Sequence, residues 1–378
     1  MNVLQGFWNY GVVSLLVLTV VVFIHEFGHF IVARWCGVKV ETFSIGFGPE
    51  LFGWTAKSGT RWRFSAIPIG GYVKMFGDLD PTSTPDMERG YTPEEQAVAF
   101  HYKSVAQRAA VVFAGPAANF ISAVFAQALI LMVVGAQWAL PVVGEVEPGS
   151  AAAEAGLQPG DRIVQANGEA IERFNDLHRI ILMSVGDPVT LGVERGDQRL
   201  QIVSHPRIKE VVDIFGNVEK VPRLGIGSSP DAVTNVTFGP IAALSESASE
   251  IREMVAMTFT GLGQMITGRR SADELGGPIR IAKGVGQAAE LGIAIVIAFG
   301  ILLSVNLGLV NLFPIPLLDG GRLLFYAIEA VMRRPVGPRV QEYGLRIGLF
   351  LVFALMLFVT RNDLADLRIW EHLKAVFS

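Results

Sequence analysis

Thirteen uncharged and almost wholly apolar residues, Val12 to Ile24 (VVSLLVLTVVVFI), open a hydrophobic run that resumes at Phe30-Ile31-Val32-Ala33 after a short polar interruption. Three further apolar stretches follow, at roughly 105–140, 291–313 and 347–359 with flanking residues. Each is near the ~20 residues a helix needs to cross hydrocarbon, so the pattern predicts four transmembrane helices, the first over about 10–33. The second stretch is over-long, and its polar start, Ala106-Gln107-Arg108, belongs at the membrane interface. No Lys or Arg precedes the first run and no small-residue cleavage site follows it, so it reads as a retained span rather than a cleaved leader.

Basic residues orient the spans. Arg34, Lys39, Lys103 and Arg108 lie near the membrane ends of the first loop, and Arg322, Arg333, Arg334, Arg339 and Arg346 crowd the last one. The excess of positive charge places both loops in the cytoplasm, with both termini and residues 141–290 outside.

Between the spans the periodicity changes. Trp62 to Met75 (WRFSAIPIGGYVKM) alternates polar and apolar residues around Pro68 and Gly70-Gly71, which predicts a short cytoplasmic-side β-hairpin with a turn or bulge at the glycines. It reads equally as a membrane-surface hairpin or as a substrate clamp. Asp78 to Glu95, acidic and rich in Pro, Thr and Ser, reads as a loop. Residues 238–292 read as amphipathic helices broken at Gly268 and Gly276-Gly277-Pro278, with an apolar stripe of Met254, Met257, Leu262, Met265 and Ile266.

Gly144 to Ala152, Ala155 to Ile163 and Asn167-Gly168 place strand, small-residue helix, Gly-ended turn, strand and Asn-Gly turn in close order. This run resembles PDZ domains of the circularly permuted bacterial kind, with a helix at 174–184, strands at 188–194 and 199–204, and Leu224-Gly225-Ile226 as the strand that would bind a carboxylate. Such a domain adds an extended C-terminus to a sheet edge, or serves as a steric plug; the sequence leaves both open. His178 reads as a surface residue of its helix.

The composition fits this organisation. Of 378 residues, 51% are hydrophobic and 17% charged, against about 25% charged in soluble domains. The net charge of -4 gives no footprint for nucleic acid. Cys36 is the single cysteine, which excludes an internal disulfide and a cysteine-based zinc site.

The polar interruption in the first span is His25-Glu26-Phe27-Gly28-His29, an HExxH pattern. Residues four apart share a helix face, so both imidazoles can reach one zinc ion with Glu26 beside them as candidate general base. A zincin site needs a third protein ligand. The third span ends in Asn311-Leu312-Phe313-Pro314-Ile315-Pro316-Leu317-Leu318-Asp319-Gly320-Gly321, where two prolines break the helix and let Asp319 turn inward at matching depth. One Zn²⁺, one Asp and one ionised Glu sum to zero charge with both histidines neutral. Any of these charges alone at the bilayer centre would cost on the order of 2.5–3.5 kcal/mol or more. Asn311 either donates to the oxyanion of an acyl-transfer intermediate or caps the broken helix. Gly115-Pro116-Ala117-Ala118-Asn119 in the second span reads as close helix packing.

These motifs, His25 to His29, Gly115 to Asn119 and Asn311 to Gly320 in the N-x-x-P-x-P-x-x-D-G form, resemble those of the site-2 protease family of intramembrane zinc metalloproteases. The resemblance runs over nearly the whole chain, Gly276-Gly277-Pro278-Ile279 included. It is nearest the bacterial regulator-of-sigma-E protease branch, although that branch often carries two tandem PDZ domains and this chain has room for one. The resemblance implies one zinc per chain held by His25, His29 and Asp319, with Glu26 as base and Asn311 assisting the scissile carbonyl. It implies cleavage of single-pass membrane proteins, anti-sigma-factor-like or signal-peptide-like, in or near the bilayer after another protease has cut the outer domain. Substrate would be held extended along Ile67, Gly70, Gly71, Tyr72 and Val73, and an extended peptide or C-terminus at Leu224, Gly225 and Ile226. Lipid is the surrounding partner, no nucleic acid is expected, and a bacterial inner membrane is the location.

The predicted fold class is thus membrane α-helical, with four spans, a cytoplasmic-side β-hairpin and an extracytoplasmic PDZ (α+β) insert. Residues 1–140 hold spans one and two, 141–232 the PDZ domain, 233–290 an outer helical linker, and 291–378 spans three and four. Two other classes compete: a membrane-anchored zincin with a water-exposed site, and a non-enzymatic PDZ receptor with a structural metal.

Overall fold

A computed structural model describes residues 7–78, 90–212 and 218–366. Most of the acidic loop expected at 78–95 lies outside the described residues. The chain divides into two compact units, Met1–Ala126 with Asp273–Ser378, and Gln127–Ala272.

Four helices are long and apolar enough to cross a membrane: Tyr10–Trp35, Val105–Val133, Ile293–Asn311 and Arg339–Leu364. In hydrocarbon every backbone polar group must be satisfied within the segment, which is why uncharged runs of this length fold as helices. A π-helical lead, Phe7–Val13, continues into α1, Ser14–Trp35. The hairpin follows as β1, Val40–Thr55, and β2, Arg61–Met75. A short α2, Pro93–Val98, is closed by a Thr92–Glu95 capping box, and α3 runs over Val105–Val133. The second span is therefore shorter than the apolar stretch. Gly135 takes φ +79°, and Ala136–Ala139 continues as a strand rather than as helix.

The hairpin also differs from its expected form. Its turn lies at Ala56–Thr60, where Ala56 N–H bonds Thr60 O and Gly59 takes a positive φ. Gly70-Gly71 sit inside β2 instead. Each strand bends, so Thr42–Ile45 lie beside Gly71–Lys74 and also beside Arg61–Phe64. Gly70, at φ +98°, makes the bend, and the Phe47 ring occupies the space a Cβ there would need. Aromatic packing fixes the sheet to α1: buried Phe43 meets Phe23, Phe27 and Phe30, and Trp62 stacks on it at 4.4 Å. Thr19 Oγ1 adds a hydrogen bond to Pro68 O at 3.1 Å.

In the second unit β3, Ala136–Ala139, pairs β12, Val233–Val236, while β4, Val143–Val146, pairs β11, Ile226–Ser228. A four-stranded sheet orders β6 (Glu169–Ala170), β5 (Arg162–Ala166), β7 (Val189–Arg195) and β8 (Gln198–Ser204). A separate hairpin joins β9, Arg207–Val212, to β10, Val218–Arg223. Helix α4, Ala151–Glu154, is capped by Ser150, and α5 spans Phe174–Ser184, the bounds that the resemblance implied. Side chains from these elements, Val143 through Leu224, form one buried core. Burial alone would raise the Asp161 carboxyl, but both its oxygens take hydrogen bonds from Arg195 at 2.7 Å, and the net effect holds it below its ordinary value.

Helix α6, Pro240–Ile266, buries small residues, Ala243, Ser247 and Gly261, with Ile251 and Gln264. The methionine stripe read from the sequence is only partly covered, because close packing here favours short side chains over long ones.

The C-terminal part of the first unit contains α7, Pro278–Leu291, α8, Ile293–Asn311, α9, Asp319–Met332, and α10, Pro338–Asp366. Gly292, at φ +118°, separates α7 from α8, so the third span starts two residues later than its apolar run. Asp363, buried near the end of the fourth span, explains Gly276-Gly277-Pro278. Its carboxylate accepts the N–H groups of Gly277, Ile279 and Arg280 at 2.8, 2.9 and 3.2 Å. Gly277 is a glycine because a Cβ there would meet Asp363 Oδ2 at 2.7 Å. The pairing places a negative charge on the positive end of α7 and satisfies donors that helix geometry leaves open. An unpaired buried donor costs about 1–3 kcal/mol. Asp363→Ala should therefore lower the melting temperature of the detergent-solubilised protein clearly, and Asp363→Asn, which keeps one acceptor oxygen, should lower it less.

Candidate metal centre

Helical spacing sets the first half of the site. His25 and His29 are four residues apart on α1, both buried, with their Nε2 atoms 3.2 Å apart. Their rings need room, and α3 supplies it. A Cβ on Gly115 would fall on the His29 ring and within 2.9 Å of His25 Cε1. One turn away, Gly28 leaves space for the Ala114 carbonyl and the Ala118 methyl, so α1 and α3 approach backbone to backbone.

The second half comes from the broken end of the third span. After Asn311 the chain makes successive turns, with Ile315 N–H bonded to Phe313 O and Leu318 N–H to Ile315 O, before α9 begins at Asp319. Leu317 is held at φ +135°, a region sparsely populated by residues with a side chain. Gly320 and Gly321 let the loop fold onto the first turn of α9, since a Cβ on either would strike the carbonyls of Leu312, Phe313 or Ile315. Polar ties hold α9. Arg108 pairs with Glu329 at 2.7 Å and lies over the Tyr326 ring, and Arg322 reaches both carboxylate oxygens of Asp78 at 3.0 and 3.4 Å. Asp78 follows directly on β2, and Arg108 belongs to α3.

Asp319 Oδ2 thereby lies 3.1 Å from His25 Nε2 and 3.4 Å from His29 Nε2. The three ligand atoms fall within 4.8 Å of one another, and they form the metal-capable cluster among the described residues. Asp319 Oδ2 is buried and takes no hydrogen bond. His29 Nδ1 is 2.8 Å from Val111 O, an acceptor only, so that nitrogen carries the proton and Nε2 presents a lone pair. Lone pairs converging in an apolar surround repel unless a cation sits among them. Two imidazoles and one carboxylate are the donor set of a catalytic zinc site with a position left open for water or substrate, and the residues fit that ion.

Glu26 points out of the same helix. Its Cγ lies 3.5 Å from where a Gly71 Cβ would stand, and its carboxylate interacts with the Val73 backbone N–H and with His25, His29 and Asp319. The structure thus brings Glu26, His25, His29, Asp319, Gly71 and Val73 together. Tyr72 pairs with Ser44 and stacks on Phe47, whereas Ile67 lies farther along β2, half exposed beside Phe47. Asn311 is the last residue of α8, eight residues before Asp319. Leu224, Gly225 and Ile226 belong to the other unit. Gly225 and Ile226 line a cleft of about 510 Å³ there with Glu147 and Arg223, while the Leu224 side chain is core.

Two residues of the site were legible only as packing. Gly115 and Asn119 lie four apart on α3, one face of that helix, and Asn119 Nδ2 is 3.2 Å from His25 Nδ1. A lone amide at membrane depth was the available signal. Gly115→Ala should displace the His29 ring and weaken zinc binding at least tenfold, measured by zinc content after dialysis against a chelator.

The family model for peptidase family M50 matches residues 13–355. "Putative zinc metalloprotease Atu1380" of Agrobacterium fabrum is 45% identical over 363 residues, covering 95% of this chain and 96% of its own length. Metalloprotease MmpA of Caulobacter vibrioides is 37% identical over 397 residues, covering 99% of this chain and all of its own length. Spans, buried HExxH helix and converging Asp319 agree with that match: this chain is a multi-pass zinc metalloprotease and belongs to peptidase family M50, the site-2 protease family.

Proposed function

We propose that the chain is an intramembrane zinc endopeptidase that cuts single-pass membrane proteins within or beside their spans after an earlier cut has removed the outer domain. One observation carries the reading: a buried His25–His29–Asp319 cluster contributed by helices long and apolar enough to span a bilayer. His25, His29 and Asp319 hold the ion. Bound zinc would supply Lewis acidity, polarising a carbonyl and making water acidic enough to ionise near neutral pH.

The chain's own groups do the rest. Glu26, the only acid on that helix face, takes a proton from the attacking water and delivers it to the leaving amine. Asn311 supplies an amide donor for the carbonyl oxygen as negative charge develops on it. A helical peptide bond is shielded by its own hydrogen bonds, so substrate must unwind. The β2 segment Ile67–Val73, including Gly70, Gly71 and Tyr72, offers the backbone that holds it extended, and Gly71 brings that backbone to Glu26.

The clustering of Lys and Arg supports cytoplasmic placement of the hairpin and of the loop before the fourth span, with both termini and residues 141–290 on the outer side of a bacterial inner membrane. Residues 141–232 read as a PDZ domain, supported by the β4–β11 pair, the four-stranded sheet, α5 and the cleft at Gly225 and Ile226. It screens out substrates whose ectodomain is still attached, and the cleft is where an extended peptide end would add.

Glu26→Gln should keep zinc, capture substrate and lower cleavage by roughly 10²–10⁴-fold. Comparing membrane proteomes of wild type and Glu26→Gln cells should reveal accumulated single-span fragments; identical proteomes would exclude the protease reading. Asp319→Ala should lose zinc. Stoichiometric zinc with normal turnover in that variant would refute the third-ligand assignment.

A further inference from the structure

We propose that Asn119 is a positioning residue that fixes the tautomer of His25, accepting a hydrogen bond from His25 Nδ1–H through its Oδ1. The inference rests on the reading that His25, His29 and Asp319 hold zinc.

The two histidines are held differently. His29 Nδ1 faces the Val111 carbonyl at 2.8 Å, and a carbonyl can only accept, so the tautomer of His29 is settled by backbone. His25 Nδ1 faces a side-chain amide, 3.2 Å from Asn119 Nδ2. An amide offers a donor on one side and an acceptor on the other, and a half-turn about Cβ–Cγ exchanges them at unchanged shape. With Nδ2 towards the ring, His25 Nδ1 must accept. The ring proton then sits on Nε2 and points at Asp319 Oδ2 and His29 Nε2, 3.1 and 3.2 Å away, where the cation belongs. With Oδ1 towards the ring, Nδ1 carries the proton and the Nε2 lone pair joins the other two ligand atoms. Asn119 Oδ1 has no hydrogen-bond partner in the first arrangement. Exchange leaves the amide nitrogen in that place instead, so the count of unpaired atoms does not decide the matter. The cation decides it, since an N–H aimed at a dication is repulsive and a lone pair is a ligand.

Asn119 is also held at a close helix contact. It is fully buried, and its backbone carbonyl accepts from Ser122 Oγ at 3.0 Å and from Ser304 Oγ at 3.2 Å. Ser304 lies on α8, the helix that leads to Asp319, and Gly308 on the same helix leaves room for the Asn119 Cβ at 3.3 Å. The backbone of Asn119 is thus fixed where α3 and α8 meet, and its side-chain amide reaches the outer nitrogen of a ligand on α1. Hydrogen-bond partners of metal-bound histidine commonly change metal affinity by 10–100-fold.

Donor and acceptor roles separate cleanly by substitution. Zinc dissociation constants would be measured on the detergent-solubilised full chain by competition with a fluorescent chelator, alongside size exclusion and melting temperature. Asn119→Asp is isosteric and accepts only; it should bind zinc within about threefold of wild type or more tightly, and gain more thermal stability on zinc loading. Asn119→Leu should bind zinc about 10–100-fold more weakly. Where Asn119→Leu is not monodisperse, Asn119→Ala carries the same expectation. Folded Asn119→Asp that loses zinc tenfold or more, or Asn119→Leu or Asn119→Ala that binds like wild type, overturns the proposal. Asp319→Ala run in parallel tells the two readings apart. If it binds zinc normally, the ligand assignment falls; if it loses zinc while the Asn119 variants do not change, only the role of Asn119 falls.

Discussion

Lone pairs brought together inside an apolar surround set the terms for this molecule. His29 Nε2 and Asp319 Oδ2, with His25 Nε2 beside them, converge within 4.8 Å, and Asp319 Oδ2 takes no hydrogen bond among the described residues. In water such a cluster would be screened, but at membrane depth it repels itself unless a cation neutralises it. Bringing two imidazoles and a carboxylate to one point from segments 290 residues apart in sequence is a steric problem as much as an electrostatic one. The glycines answer the steric part. Gly115 admits the rings, Gly28 admits the neighbouring helix, and Gly320 with Gly321 admits the loop that delivers Asp319. Each stands where a methyl group would collide with backbone or with a ligand ring.

The same economy governs how the elements around the site are fastened. The apolar faces of the spans are interchangeable in hydrocarbon, because lipid is as good a neighbour as leucine. Position is therefore specified by polar contacts and close approach. Arg108 with Glu329 fastens α9 to the second span, Arg322 with Asp78 fastens it to the end of β2, and Asp363 fastens the start of α7 to the fourth span. On the last helix Gly344 and Gly348 lie against Pro316, so the loop before Asp319 is covered from that side too.

The second unit follows a different rule. Its strands and α5 close over one continuous hydrophobic core, and its buried charge, Asp161, is paired with Arg195. Within that unit, Gly225 and Ile226 line a cleft of about 510 Å³ with Glu147 and Arg223.

Periodicity and motif spacing by themselves determined the four spans, the helical pairing of His25 with His29 and the choice of Asp319. All of these are local or follow from charge balance. A run without charges must be helical in lipid, and i,i+4 residues must share a face. Tertiary structure alone decided the rest. The hairpin turn moved from Gly70-Gly71 to Ala56–Thr60 because Gly70 bends a strand around Phe47. The Gly276-Gly277-Pro278 break acquired its reason only when Asp363 was found 86 residues away. Gly115 and Asn119 passed from packing residues to part of the site once α3 lay against the histidines. A sequence shows which groups cannot be left alone in a membrane; which neighbour relieves each of them depends on distances between helices, and those are fixed only when the helices pack.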